Sequence, residues 1–209
     1  PKDAKIVQSC STGYGEALIK SALMLDDGEV ETVSHFYAAA FFDPEVDCII
    51  DIGGQDVKVL HIDNGAMTNF QMNDKCAAGT GRFLEMMART MEMSLDDMGK
   101  AGLSYKEDIT ISSMCTVFAE SEVVSLIAQN KATDDIVHGL NKAVASKTAA
   151  LAKRVGGEER YMMTGGVSKN QGLVKTLEEK LGTTLVISDK AQLCGALGAA
   201  LFAKDMVIE

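Results

Sequence analysis

Residues 47–84 read DCIIDIGGQDVKVLHIDNGAMTNFQMNDKCAAGTGRFL, and the fold turns on how this stretch is parsed. Cys48, Ile49 and Ile50 form a short apolar run that ends in Asp51, Gly53 and Gly54, and a second run over 57–62 follows after two polar residues. That spacing predicts a hairpin. Asp63-Asn64-Gly65 is a strong turn signal leading into a third strand over 67–73, so the three strands make an antiparallel meander. Adjacent glycines let the chain turn sharply and let its amides approach a ligand, while Asp51 and Asp56 set carboxylates beside that bare backbone. Phosphate with a divalent ion suits such a place. Farther on, Cys76 is followed by Ala77, Ala78, Gly79, Thr80 and Gly81 before a helical pattern begins. Its sulfur is therefore expected at or just before a helix N-terminus, where the dipole and free amides stabilise a thiolate.

A chain of 209 residues with 46% hydrophobic content can fill a proper core, as one large domain or two small ones. With 30 acidic against 20 basic residues, the formal charge of −10 argues against nucleic acid or an anionic membrane as a bulk partner. No run approaches the roughly 18 apolar residues of a membrane span, and the opening PKDAK does not resemble a signal peptide, so the expected compartment is the cytoplasm. Entry into a strand directly after Pro1 suggests a fragment of something longer. The five cysteines, at 10, 48, 76, 115 and 194, form no C-x-x-C pair, and reduced thiols are expected. Cys10, Cys48 and Cys194 lie in apolar settings and read as small buried hydrophobes. Cys76 and Cys115 stand apart.

Outward from the central stretch, residues 5–10 read as a strand, followed by a glycine turn and a helix with Ala17, Leu18, Ala22 and Leu25 on its apolar face. A helical pattern over 30–42 stops at Asp43-Pro44, with His35 on one face and no catalytic duty expected of it. After the Cys76 loop come a helix over 82–93 and another capped by Ser94. Residues 109–113 are a short β-type run, and Cys115 then opens a helix ending near 128. A long helix over 134–155 precedes a strand at 161–164, a helix at 168–181, a last strand at 184–187, and a final helix over 191–203 rich in small residues. Three glycine turns, Gly53-Gly54, Gly79-Thr80-Gly81 and Gly165-Gly166, each follow a strand, and together they point to a nucleotide cleft between two lobes. None is a P-loop or a dinucleotide fingerprint.

DIGGQD, NDKCAAGTGRF, SSMCTVFAESEV, MTGGVSKN and AQLCGALGAA, in this order, resemble the ATP-dependent activators of 2-hydroxyacyl-CoA dehydratases, a family that includes benzoyl-CoA reductase ATPase subunits. The resemblance covers nearly the whole chain. It implies an α/β fold of the actin/Hsp70/sugar-kinase-like (ribonuclease H-like) type, two lobes closing over ATP. The first lobe would be incomplete at the N-terminus: 1–48 its remainder, 49–190 the second lobe, and 191–209 a helix returning to the first. It also implies a homodimer sharing one 4Fe-4S cluster on Cys76 and Cys115 of each protomer, fed by a ferredoxin or flavodoxin and delivering low-potential electrons to a dehydratase or related reductase.

For ATP or ADP with Mg2+, the resemblance puts Gly53, Gly54 and Gln55 at the phosphates and Asp51 near the metal. It brings Gly79 and Gly81 to the nucleotide, Gly165, Gly166 and Asn170 to the adenosine, and Gln192 to the closing of that pocket. Either Gln55 or Asp56 would orient the attacking water. The D-x-G-S/T-x-x-K type phosphate loop of the family is not in this sequence, so ATP hydrolysis is expected of a longer protein rather than of this chain alone. The competing reading is a redox-inactive nucleotide-binding regulator or a sugar-kinase-like enzyme, in which Cys76 and Cys115 are structural.

Overall fold

The computed structural model describes residues 3, 5–73, 75–112 and 115–208. In chain order its elements are β1 (Cys10–Ser11), α1 (Glu16–Leu23), β2 (Asp27–Gly28), α2 (Glu31–Phe42), β3 (Cys48–Ile52), β4 (Val57–Asp63) and β5 (Ala66–Asn73). There follow α3 (Gly81–Thr90), α4 (Leu95–Ala101), α5 (Thr116–Ala128), α6 (Thr133–Val155), β6 (Tyr161–Thr164), α7 (Gln171–Leu181) and α8 (Cys194–Ile208).

The apolar runs of the central stretch pair as a meander, with Ile49 opposite Leu60 and Ile50 opposite Val59. β5 adds to the outer edge of β4, with an irregularity of register between His61 and Ile62. β6 joins the other side of β3 in parallel, giving the order β5-β4-β3-β6 among the described residues. All five residues of β3 are buried, because helices cover both faces of the sheet at this strand. Cys48, Ile50, Ile52, Val59 and Met163 face a large core built with α3, α6 and α7. Ile49, Leu60, Ile62 and Met162 face the opposite way, toward Ala39 of α2.

Small residues bring α8 against α2. A Cβ placed on Gly198 would stand 1.7 Å from the Ser34 carbonyl oxygen, so the two backbones touch only because glycine is there. The last helix thereby returns to the first fifth of the chain.

Several elements differ from the sequence expectation. Over 5–11 only Cys10–Ser11 forms a strand, pairing in parallel with β2, while Ile6 and Val7 stay exposed. α1 leaves Ala17, Leu18 and Ala22 of its expected apolar face exposed, and only Leu25 of that set is half-buried. Residues 109–112 join no strand among the described residues: Ile109 and Ile111 are buried against α6 instead of in a ladder, and Ser113 lies outside the described residues. The helix expected from 168 is a 3-10 turn, Gly166–Lys169, followed by α7, because the Asn170 side chain accepts from the Leu173 amide and restarts the helix there. The strand expected at 184–187 is reduced to one bridge between Val186 and Met162 among the described residues. α8 begins after a 3-10 turn, Ala191–Leu193, and runs past 203 to Ile208.

Gly198→Ala should force α8 away from Ser34 and destabilise the protein by about 1–3 kcal/mol, the usual cost of overpacking. Thermal melting followed by circular dichroism checks this; an unchanged melting temperature would show that the contact carries no stability.

Candidate functional site

Because β3 and β6 are parallel, their C-terminal ends open on the same edge of the sheet, where a ligand site is formed most readily. Both end in paired glycines. Gly165 has φ +86, and a Cβ on it would lie 2.3 Å from the Ile52 carbonyl oxygen, so only glycine lets the two strands finish side by side. Beyond these ends lies a cavity of about 420 Å³, walled by Gly53, Gly54, Gly81, Gly166, Asn170 and Gln192. Of the residues anticipated there, Gly165 is buried in the turn after β6 and does not line the cavity. Gly79 lies off this wall, in the loop after β5. Glu85, Asp96 and Lys169 line the cavity as well and were not anticipated; Lys169 donates to Gln192 Oε1 at 2.5 Å. Gln55, Asp56 and Glu31 wall an adjoining recess that shares Gly53 and Gly54.

The turn after β3 is bonded to the start of α3. Gly81 N donates to Gly53 O and Arg82 N to Gly54 O, each at 2.9 Å, and a Cβ on Gly81 would stand 3.1 Å from Gly53 O. Those two helix amides are therefore committed to the turn.

Beneath the recess is a group of buried charges that the sequence reading missed. Lys58 Nζ lies 2.7 Å from Asp56, 2.9 Å from Glu31 and 3.8 Å from Asp51. Burial by itself pushes the lysine down, yet Asp56 and Glu31 beside it raise it overall. The Thr164 hydroxyl donates to Asp51 Oδ1 at 2.9 Å, so its oxygen receives the Nδ1 proton of His35 at 3.0 Å. His35 Nε2 then faces Asp51 at 3.6 Å and Glu31 at 3.8 Å. His35, and next to it Lys58, hold the Glu31 carboxyl down at about 2 against the opposing effect of burial. Ligand atoms of Glu31, His35 and Asp51 lie within 4.8 Å of one another, close enough for one divalent ion to span. His35 is thus not a bystander on α2. Its spacing of four residues from Glu31 was the available signal.

The cysteines fall into two groups. Cys115 is the N-cap of α5, as expected, with an exposed thiol. Cys76 is exposed too, but it lies in the loop before α3, whose N-cap is Thr80, so its sulfur is farther from the helix start than the sequence suggested. Among the described residues all five thiols are free. Burial pushes Cys48 up to about 12 and Cys194 up to about 11. Cys10 is only half-buried, not a core residue, and is raised chiefly by the burial it has.

With this geometry in view, the family model described as the BadF/BadG/BcrA/BcrD ATPase family matches residues 1–203. The chain belongs to that family. It is 49% identical over 193 residues to the (R)-2-hydroxyglutaryl-CoA dehydratase activating ATPase of Acidaminococcus fermentans, covering 92% of this chain and 74% of the relative. To the activator of lactoyl-CoA dehydratase of Anaerotignum propionicum it is 43% identical, over 98% of this chain and 78% of the relative. The solved activator of the 2-hydroxyisocaproyl-CoA dehydratase from Clostridium difficile, with bound ADPNP, superposes with a TM-score of 0.93 at 43% identity, over 98% of this chain and 75% of that one. At 14% identity, the ethanolamine utilization protein EutJ from Carboxydothermus hydrogenoformans matches with a TM-score of 0.61, over 96% of this chain and 67% of that one, a likeness of fold alone. The fold class is the two-lobed α/β fold of the actin-like ATPases.

Two outcomes follow from these environments. Iodoacetamide applied to folded, iron-free protein at neutral pH should label Cys76 and Cys115 and spare Cys48 and Cys194, as read by peptide mass spectrometry; labelling of all four at equal rates would contradict the assigned burial. Glu31, depressed from 4.5 to about 2, contributes stability that is present above about pH 4.5 and lost as the pH falls toward 2. Urea unfolding of the protein and of Glu31→Gln should therefore converge as the pH is lowered from about 6 to about 3, whereas a constant gap would mean that the carboxylate is not held by these partners.

Proposed function

We propose that this protein is an ATP-dependent activator that passes low-potential electrons to a 2-hydroxyacyl-CoA dehydratase-type enzyme. The observation that carries the proposal is the seam at Gly81. The turn that would receive phosphate shares two backbone hydrogen bonds with the start of α3, which directly follows the loop that carries Cys76, so a shift at one is felt at the other. Family membership and the ADPNP-bound relative support ATP or ADP as the ligand of the cleft.

In this reading the amides of Gly53 and Gly54 meet the phosphates and Asp51 holds Mg2+, directly or through water, at the end of β3. Gln55 orients the attacking water, since Asp56 is buried and committed to Lys58 at 2.7 Å while Gln55 is exposed in the recess. Gly165, Gly166, Asn170 and Gln192 lie on the adenosine side. Residues 1–48 with 191–209 belong to one lobe, in keeping with the contact of α8 on α2, and 49–190 to the other.

The donor set suits a shared 4Fe-4S cluster: two exposed, unpaired thiols per chain, Cys76 and Cys115, become four across a two-fold axis. When bound, the cluster would supply one-electron transfer at low potential. Val117, Phe118 and Val124 form an exposed apolar face on α5 directly after Cys115, which suits the contact of a homodimer. A ferredoxin or flavodoxin would be the donor, and the cytoplasm the compartment; among the described residues no helix is long and apolar enough to cross a membrane.

Anaerobic reconstitution should give a brown dimer with about four iron atoms, if four cysteine ligands hold one cluster. Cys76→Ser and Cys115→Ser should each lose it while Cys194→Ser retains it. Colourless protein, or equal loss in all three variants, would favour the redox-inactive nucleotide-binding alternative.

A further inference from the structure

The loop between β5 and α3 carries Cys76, and its backbone is fastened from three directions. Asn73 donates from Nδ2 to the carbonyl oxygens of Cys76 at 2.9 Å and Ala78 at 3.1 Å. Thr80 closes on Ala77 O with its amide at 3.0 Å and its hydroxyl at 2.7 Å. The remaining fastening comes from far along the chain: Lys147 on α6 donates from Nζ to Ala78 O at 2.8 Å. Its stem lies along the loop, with Cδ 3.4 Å from where a Cβ on Gly79 would stand.

The half-buried ammonium thus donates to a neutral carbonyl, and among the described residues no salt bridge to a carboxylate holds it. The same stretch of α6 also supports the approach to the other cysteine. Thr110 and Ile111 share a groove with Gly139, Ala143 and Lys147, and a Cβ on Gly139 would stand 3.0 Å from the Ile109 carbonyl oxygen. The run 109–111 ahead of Cys115 and the loop that carries Cys76 therefore both contact α6, and Lys147 is bonded into the loop.

We propose that Lys147 is a positioning residue for Cys76. Its hydrogen bond holds the loop in the conformation that presents the thiolate, and its fixed charge, two residues away at Ala78, favours the more electron-rich state of whatever metal centre that thiolate binds. The role rests on Cys76 being a cluster ligand. Arginine at this position keeps the charge and a donor; methionine keeps much of the stem and has neither.

The test uses Lys147→Met and Lys147→Arg in the whole protein. In iron-free samples, hydrogen exchange of the amides in 77–81 should rise about tenfold in Lys147→Met, the scale of one lost hydrogen bond, and return toward the parent rate in Lys147→Arg. Unchanged exchange in Lys147→Met overturns the anchoring role. In anaerobically reconstituted samples, Lys147→Met should bind iron less tightly and show a lower reduction potential with an altered EPR spectrum of the reduced state, and Lys147→Arg should restore all three. A parent-like potential and spectrum in Lys147→Met overturn the proposal even if the loop is loosened. If the parent protein itself takes up no iron, the cluster reading fails first, and the exchange measurement still tells whether Lys147 anchors the loop.

Discussion

Two hydrogen bonds of 2.9 Å, from Gly81 N to Gly53 O and from Arg82 N to Gly54 O, join the turn at the end of β3 to the beginning of α3. Gly81 has no side chain, so the backbones come this close without crowding; a Cβ there would press on Gly53 O at 3.1 Å. On one side of this seam is the glycine-walled cavity, and on the other is the loop of Cys76. A rigid contact between packed backbones transmits a displacement rather than absorbing it. The seam is thus a direct physical link between the turn at the cavity and the start of the helix that follows the Cys76 loop.

The parallel pairing of β3 with β6 does the complementary work. It aligns Gly53-Gly54 with Gly165-Gly166 and sets Asp51 beside Thr164 in register. Once Thr164 donates to Asp51, His35 is drawn down from α2, and with it Glu31 and the ammonium of Lys58. Three carboxylates, one lysine and one histidine in so little volume are stable only as a mutually paired set, since any one of them buried alone would be costly. The same grouping leaves Gln55 outside the set, exposed on the wall of the recess, which Tyr14, Arg82 and Glu85 also line.

α6 gives this arrangement its base. Its 23 residues run beneath the sheet, pack on α7, and present Gly139 to Ile109 and Ile111 and Lys147 to the loop that carries Cys76. Family membership and the close superposition on a solved activator agree with this frame, over about three quarters of the relatives' length.

Short apolar runs, with Gly53-Gly54 and Asp63-Asn64-Gly65 between them, were enough to place the meander, and Asp43-Pro44 and Ser94 were enough to mark a helix end and a helix start. These are local instructions, carried by backbone propensity and by capping within a few residues. Where local pattern and packing disagreed, packing prevailed: Ile109 and Ile111 look like a strand but are buried against a helix, and 184–187 find room for one bridge only among the described residues. The glycine turns and the exposed cysteines were legible because each residue type answers a local need. The partnership of Thr164 with His35 across 129 residues, and of Lys147 with Ala78 across 69, was not. Periodicity says which face of an element is buried, but the partner a buried polar group meets is chosen by how distant elements dock, and only the assembled tertiary structure decides that.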